Sequence, residues 1–587
     1  MGRINSSTTL AYNRLHGVEA FPTFHYCLRD GECGMEPLTL RDLFLGKAGN
    51  VIRDKPNWWA KFKDDKIWKK WLEELRPLAP NQEITEAMEK YLSDELAYLA
   101  ETRNLANGID QALDMTYKSD ILIPQSLKEE LIACMRPLED VPENLKDWHP
   151  HSNNQVLDLV HPSLYPVVFG KTRLYTNKSL VPCLPHVGGG ETVADASVIR
   201  KRYKRCLWEA NVLSSQFQWL PTYFSIDPAT KEVKFEGYIN NLHPVQHKKL
   251  YFVLEKLMSI CLPMFDRVLF DMKHPPRQRA ICVSPNWYIE GKEEKEGEEM
   301  KEDHGEEGVE SEVNSEYEYW GKRNLDIPDA KVFKRPEIDF TSHESEDIGV
   351  KNADENAAAR NKVTLSDFGR GQVIVKLGNI ELTPENPEYP GGDWHLEGML
   401  NERIIATVIY YYDSENITDN HLAFRQSVWT LEDYEQDDSR GFLEIFGLKR
   451  DEPAVQDLGY IATKGDRVIS FPNLYQHKVS PFSLADRTKP GHRKICVFFL
   501  VDPVLPIIST SQVAPQQWDW WRAEIYKLDL FPTLPPEIVK NILDYVDWPM
   551  TLEEAKEVRL KFMQERGKYV KLQNEEYYAR EFSLCEH

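Results

Sequence analysis

Pro390-Gly-Gly-Asp-Trp-His395-Leu-Glu397, followed by Ile404-Ile-Ala-Thr-Val-Ile-Tyr-Tyr-Tyr412, is the stretch on which the fold turns. A glycine-rich lead ends in a histidine and a glutamate two residues apart, and a β-branched and aromatic run follows. Such runs suit a pleated, half-buried surface, and the Gly, Pro, Asp and Asn around them mark strand ends. Three more runs share that character: Gln372-Val-Ile-Val-Lys-Leu377, Asp466-Arg-Val-Ile-Ser-Phe471 and Lys494-Ile-Cys-Val-Phe-Phe-Leu-Val501. Strands concentrated in 372–502 predict a barrel or jelly roll. The expected class is α+β, a double-stranded β-helix (jelly-roll) core with extensive helical additions at both ends.

In an extended chain, a period of two places His395 and Glu397 on one face. An imidazole and a carboxylate on one face are two of the three ligands of a 2-His-1-carboxylate site, which holds ferrous iron with open positions. Phe471-Pro-Asn-Leu-Tyr-Gln-His477 offers the third: a strand ends, a turn follows, and His477 opens the next extended run. His421 and His492 are its alternatives. A His-x-Glu pair alone is more often a solvated pair or a satisfied strand histidine. The glycine lead, the flanking strands and the Phe-Pro context of His477 tip the reading to metal. If 2-oxoglutarate is the co-substrate, its far carboxylate needs a cation, and the planar fork of arginine fits it bidentately. Arg493 opens the last apolar strand, sharing a face with Ile495, Val497 and Phe499. Arg487, in a polar loop, is the rival.

The bulk composition narrows the partners. At 587 residues the chain suggests three or four units, although one large body with helical additions also fits. Hydrophobic residues are 41%, enough for a sizeable core, and the formal charge of −23 opposes a nucleic-acid or anionic-membrane partner. Residues 290–312 hold twelve acids and three lysines, a local charge of −9, and the low-complexity insert at 289–316 is expected to be disordered. Nine scattered cysteines without a Cys-x-x-Cys pair fit free thiols in a reducing compartment, so a cytoplasmic or nuclear location is expected. No secretory signal and no membrane span is read. Gly2-x-x-x-Ser6 fits a short myristoylation pattern that chance also explains.

Along the chain, 1–92 reads as a mixed helix and loop region, 93–510 as the catalytic body, and 511–587 as a helical region. Helices are expected over 93–145, split by Pro124, and over 196–213, 244–273 and 552–576. Pro221 opens a strand–turn–strand stretch. His243 and His247 have metal-capable helical spacing, but the proline after His243 makes capping the better account. Gly188-Gly-Gly190 lacks the lysine of a phosphate loop and reads as a turn. Leu534-Pro-Pro-Glu resembles an F-box opening and equally an ordinary helix start. The Trp518-Asp-Trp-Trp521 cluster reads as packing.

The order His395-x-Glu397, Ala406-Thr407, Phe471-Pro472, His477, Pro481 and Gly491-x-Arg493 is similar to prolyl-hydroxylase-like Fe(II)/2-oxoglutarate-dependent dioxygenases. Those enzymes usually carry Asp where this chain has Glu397. A resemblance over most of the chain comes from Val160-His-Pro-Ser-Leu-Tyr165, Phe217-Gln-Trp-Leu-Pro221, Tyr238-Ile-Asn-Asn-Leu-His-Pro244, Trp394-His-Leu-Glu-Gly-Met-Leu-Asn-Glu402 and Phe471 to His477. These look like a large fungal family catalogued as a conserved domain of unknown function. The resemblances imply Fe(II), 2-oxoglutarate and O2 acting on a C–H bond of a small-molecule or amino-acid-derived substrate. An iron enzyme of the cupin type without 2-oxoglutarate, and a non-catalytic scaffold, are the alternatives.

Overall fold

The computed structural model describes residues 21–22, 24, 35–175, 182–193, 212–276, 278–280, 287–288, 324–336, 363–429, 438–527 and 532–582. The acidic insert at 289–316, nearly all of the 196–213 helix and the Gly2 pattern lie outside the described residues.

The chain is a mixed α and β structure built on a large antiparallel sheet. Its nine strands are β1 (Asp110–Gln111), β2 (Tyr117–Ser119), β3 (Val156–Val160), β4 (Thr222–Ile226), β5 (Val233–Phe235), β6 (Arg370–Leu382), β7 (Ile404–Glu415), β10 (Val468–Pro472) and β12 (Gly491–Val501). They are ordered β1-β2-β10-β7-β12-β6-β4-β5, with β3 also paired to β6. A three-stranded sheet, β9-β8-β11, is made by β8 (Asn420–Ser427), β9 (Val455–Thr463) and β11 (Gln476–Val479). The four runs read as strands from their β-branched and aromatic content are β6, β7, β10 and β12.

Strand alternation sorts the large sheet into two faces. Cys496 of β12 sits beside Cys261 of α1 (Lys248–Lys273), so the even positions of β12 look toward that helix. The odd positions look the other way. Thr407 pairs with both Phe471 and Phe499, and the Phe471 ring lies 4.8 Å from His477 on the small sheet. Both faces are therefore buried, which is why β7 and β12 read as nearly continuous apolar runs rather than as alternating ones. Each fully buried large apolar side chain here contributes about 1.5–3 kcal/mol.

The helices carry the sheet's outer cover and the chain's ends. The expected helix over 93–145 is two helices separated by strands: one spans Glu86–Thr102 and the other Gln125–Glu139, after Pro124. Between them Asn104, Asn107 and Gly108 favour turn geometry, and β1 and β2 join the large sheet there. Near α1, the His243 ring accepts the backbone N–H groups of Val245 and Gln246, so this histidine caps a turn. A late helix, Leu552–Leu572, starts in a capping box: Thr551 Oγ accepts from Glu554 N, and the Glu554 carboxylate accepts from Thr551 N at 2.8 Å. Among the described residues no helix is long and apolar enough to cross a membrane.

Candidate metal centre

His395 and His477 face each other across an antiparallel bridge. His395 N–H donates to the His477 carbonyl at 3.2 Å, and His477 N–H donates back at 3.0 Å. Cross-strand partners stand on the same side of a sheet, so the rings meet with centroids 4.3 Å apart. Glu397, two residues on, returns to that side. The close approach needs Gly391: at φ 87° it lies so near the next strand that a Cβ would sit 2.7 Å from the Val479 carbonyl. Asn473, 1% exposed, then fixes the glutamate's backbone. Its Oδ1 accepts from Glu397 N at 2.9 Å, and its Nδ2 donates to the Glu397 carbonyl at 2.8 Å.

Ligand-capable atoms of His395, Glu397 and His477 all lie within 4.8 Å of one another. Glu397 Oε1 is 3.2 Å from His477 Nε2 and 3.8 Å from His395 Nε2. The His395 Nδ1–H donates to the Asp393 carbonyl at 2.8 Å, which leaves the Nε2 lone pair facing the glutamate. Burial, then the facing His477, pushes the His395 imidazole down to about 4, so the ring is neutral near pH 7. Burial pushes the Glu397 carboxyl upward, but the His477 hydrogen bond and the two imidazoles overcome it and bring the group to about 2. His477 is 3% exposed, against Phe471 at 4.8 Å and Phe424 at 6.4 Å. The result is two imidazoles and an ionised carboxylate, set against an apolar wall.

Arg493 lies on the inner face of β12, 3% exposed, with Phe482 4.8 Å and Tyr411 5.6 Å from its guanidinium. It donates to Asn420 Oδ1 at 2.8 Å, while its Nε is buried without a hydrogen bond. Burial depresses its pKa, and among the described residues no carboxylate pairs with it. Arg487 is on the outside, bound to Glu388 at 2.7 Å. His492 pairs with Asp413 at 2.8 Å, and the His421 ring packs tilted against Tyr460 at 4.5 Å, so neither joins the triad. His243 lies against Trp520 at 4.6 Å, and Trp518 packs on Trp521.

Two contributions around the centre had no sequence signal. The first comes from the end of the chain. Arg425, between Trp394 and Tyr578, binds Gln476 and Asn574, and Asn574 Nδ2 donates to the Trp394 carbonyl. Residues 574 and 578 thus clasp the neighbours of both histidines. The Leu552–Leu572 helix also sends Arg566 over Trp219, 2.8 Å from Glu402. The second is another cluster, His149, Asp158 and His161, whose ligand-capable atoms also lie within 4.8 Å. His149 Nδ1 meets Asp158 Oδ2 at 2.8 Å, and Arg559 approaches the same oxygen at 3.5 Å while pairing with Asp147 at 2.6 Å. Burial pushes Asp158 up, but the His161 and His149 charges bring it to about 2, and burial lowers His161 to about 3.

Among solved structures, a bsmA homolog from Methylobium petroleophilum is 11% identical, with a TM-score of 0.15. The match covers 23% of this chain and 42% of that one, so this chain spans less than half of that neighbour. The Fe(II)/α-ketoglutarate-dependent dioxygenase TqaL is 13% identical, with a TM-score of 0.20, over 65% of this chain and 92% of that one. Neither score bears on the fold or the activity. No curated protein matches. Two family models do match. A domain of unknown function, DUF4246, N-terminal, covers residues 7–74, and the protein of unknown function DUF4246 covers residues 85–524. With its bridge of histidines and most of its sheet inside the second match, the chain belongs to the DUF4246 family.

Proposed function

We propose that this chain is a mononuclear non-haem Fe(II) oxygenase that uses 2-oxoglutarate to oxidise a C–H bond of an organic substrate. The observation that carries the reading is the convergence of two imidazoles and one carboxylate on a single point, together with a buried guanidinium on the inner face of β12 that lacks a carboxylate. The sheet order supports it. A large sheet running β10-β7-β12-β6 faces the small sheet β9-β8-β11, and we read this pair as a double-stranded β-helix. On this reading 93–510 forms the catalytic body, flanked by regions 1–92 and 511–587.

The donor set fits ferrous iron, which favours imidazole nitrogen and carboxylate oxygen with positions left open. His395, Glu397 and His477 would hold it. Bound there, Fe(II) supplies oxygen activation coupled to decarboxylation of the keto acid. The chain's own residues do the rest. Asp393 and Asn473 hold His395 and Glu397 in register, so the donors need no rearrangement. Phe471 and Phe424 exclude water from one side. Arg493 meets the far carboxylate of 2-oxoglutarate, because a buried guanidinium without a counter-charge is costly and a planar dicarboxylate end matches its fork.

Anaerobic titration of the iron-loaded protein with 2-oxoglutarate, watched for the weak visible band of the chelate, tests this. A band is expected. Arg493→Met should raise the concentration needed by on the order of 30-fold, the scale of lost hydrogen bonds to a charged group. Arg487→Met should leave it unchanged. Iron without a band would favour an oxygen-using iron enzyme without the keto acid, and no iron binding would favour a non-catalytic scaffold.

A further inference from the structure

Three sequence motifs left without a role converge on one loop. Asn241 Nδ2 donates to the carbonyls of His161 and Leu164 at 2.8 and 2.7 Å, and Asn240 Nδ2 donates to those of Leu164 and Tyr165. The Trp219 indole donates to Ser163 Oγ at 2.8 Å, and its ring stacks on Phe499 at 5.6 Å. The motifs at 160–165, 217–221 and 238–244 together hold His161 beside the inner face of the large sheet. Phe499 belongs to the same face as Phe471, whose ring touches His477.

On that face, β6 presents Lys376. It pairs with Val497, two residues along from Phe499's partner Ile374, and two residues short of Gly378, which pairs with Asp158 of β3. Lys376 is half-buried, and no hydrogen bond or ion pair engages it among the described residues. Its charge acts in two directions: it lowers both Glu397 and Asp158, and it disfavours protonation of both His395 and His161. The ammonium therefore acts on the triad and on the second cluster alike. His161, 6% exposed, accepts the Ser163 N–H on Nδ1, so a neutral ring carries its proton on Nε2. That donor has no partner among the described residues. Of the acids close by, Asp158 gives its Oδ2 to His149 and Arg559 while its buried Oδ1 accepts no hydrogen bond, and Glu402 is bound by Trp219 N, Met399 N and Arg566.

We propose that Lys376 and His161 form a carboxylate-binding subsite beside the triad, and that the substrate of this enzyme is an organic acid. The proposal rests on the oxygenase reading and names its substrate class. An ammonium with an adjacent N–H donor, in a partly desolvated wall, suits one carboxylate. Arg493, four pairs further along the sheet opposite Ile380, remains for the co-substrate. A metal ion is a poorer occupant of this corner, since Arg559 and Lys376 would both repel it.

The test uses matched pairs of N-acetyl amino acids and straight-chain C4 to C12 acids with their primary amides. Each is titrated into the full chain by calorimetry and thermal shift, with and without Fe(II) and 2-oxoglutarate. At least one acid is expected to bind, and its amide at least tenfold more weakly. Lys376→Met and His161→Phe should each weaken that acid tenfold or more while 2-oxoglutarate binding stays within twofold. Lys376→Arg and His161→Gln, which keep a donor, should restore most of it. Amides binding as well as acids would overturn the proposal, and so would a panel in which no acid binds. Loss of 2-oxoglutarate rather than acid in Lys376→Met would also overturn it and make Lys376 the co-substrate's cation. Failure of the oxygenase reading shows separately: 2-oxoglutarate would not bind the iron-loaded wild type, while the acid and amide comparison without iron is still read.

Discussion

The cluster of His395, Glu397 and His477 and the cluster of His149, Asp158 and His161 each bring two imidazoles and one carboxylate within the same 4.8 Å limit. Their surroundings differ. The Glu397 carboxylate meets two imidazoles, and its neighbours are aromatic rings and backbone. Asp158 shares its carboxylate with His149 and the Arg559 guanidinium, whereas the charge of Lys376 acts on both carboxylates alike. A dication entering the first replaces a hydrogen bond. One entering the second must displace a buried cation from its acid. Ligand inventory alone therefore does not define a metal site; the residual charge around it does.

The largest effect that separates the two is metal content. His395→Ala, Glu397→Ala and His477→Ala should each abolish iron loading with the fold retained, while His149→Ala and Asp158→Asn keep one equivalent by elemental analysis. A second equivalent in wild type, lost in His149→Ala, would break the comparison. Next is stability. Arg559→Met leaves Asp147 and Asp158 without their guanidinium, and breaking such a buried pair costs about 3–5 kcal/mol in denaturant unfolding. If that variant gained metal instead, Arg559 would have been guarding a competent site.

The smallest effect is a pH slope. His161 titrates near 3 when folded, well below an unfolded histidine near 6.5, so between those values the unfolded chain binds the extra proton. Stability contributed by the neutral buried ring is complete above about pH 6.5 and falls on acidification by about 1.4 kcal/mol per pH unit. His161→Phe should flatten unfolding free energy against pH in that window. An unchanged slope would mean that the ring is hydrated and protonates freely.

How much of this could be read in advance depends on sequence distance. The strands at 372–377, 404–412, 466–471 and 494–501 announced themselves because both faces are buried and the runs are apolar throughout. His395 and Glu397 were visible because a period of two needs no tertiary information. His477 needed only a turn after Phe471-Pro472. Arg493 followed from alternation on one strand. Lys376 left no mark, since one lysine inside an apolar strand reads as an interruption until the register gives it a face. Asn473 stood in a quoted motif, yet its link to Glu397 spans 76 residues. Arg566 and Asn574 lie further still along the chain from the histidines they surround, and no periodicity connects them. The first helix expected over 93–145 stopped at Thr102 because a turn with Asn104 and Gly108 intervened, leaving Leu105 exposed.

The clasp made by residues 574–578 sets an order of events in synthesis. His395 and His477 leave the ribosome long before Tyr578, which follows His477 by 101 residues. At a translation rate of roughly 5–20 residues per second, that interval is about 5–20 s. Through it, the two histidines can pair while Trp394 and Gln476 still wait for Asn574. A nascent chain would thus offer its histidine bridge to solvent and to any available cation before the last segment arrives to close around it.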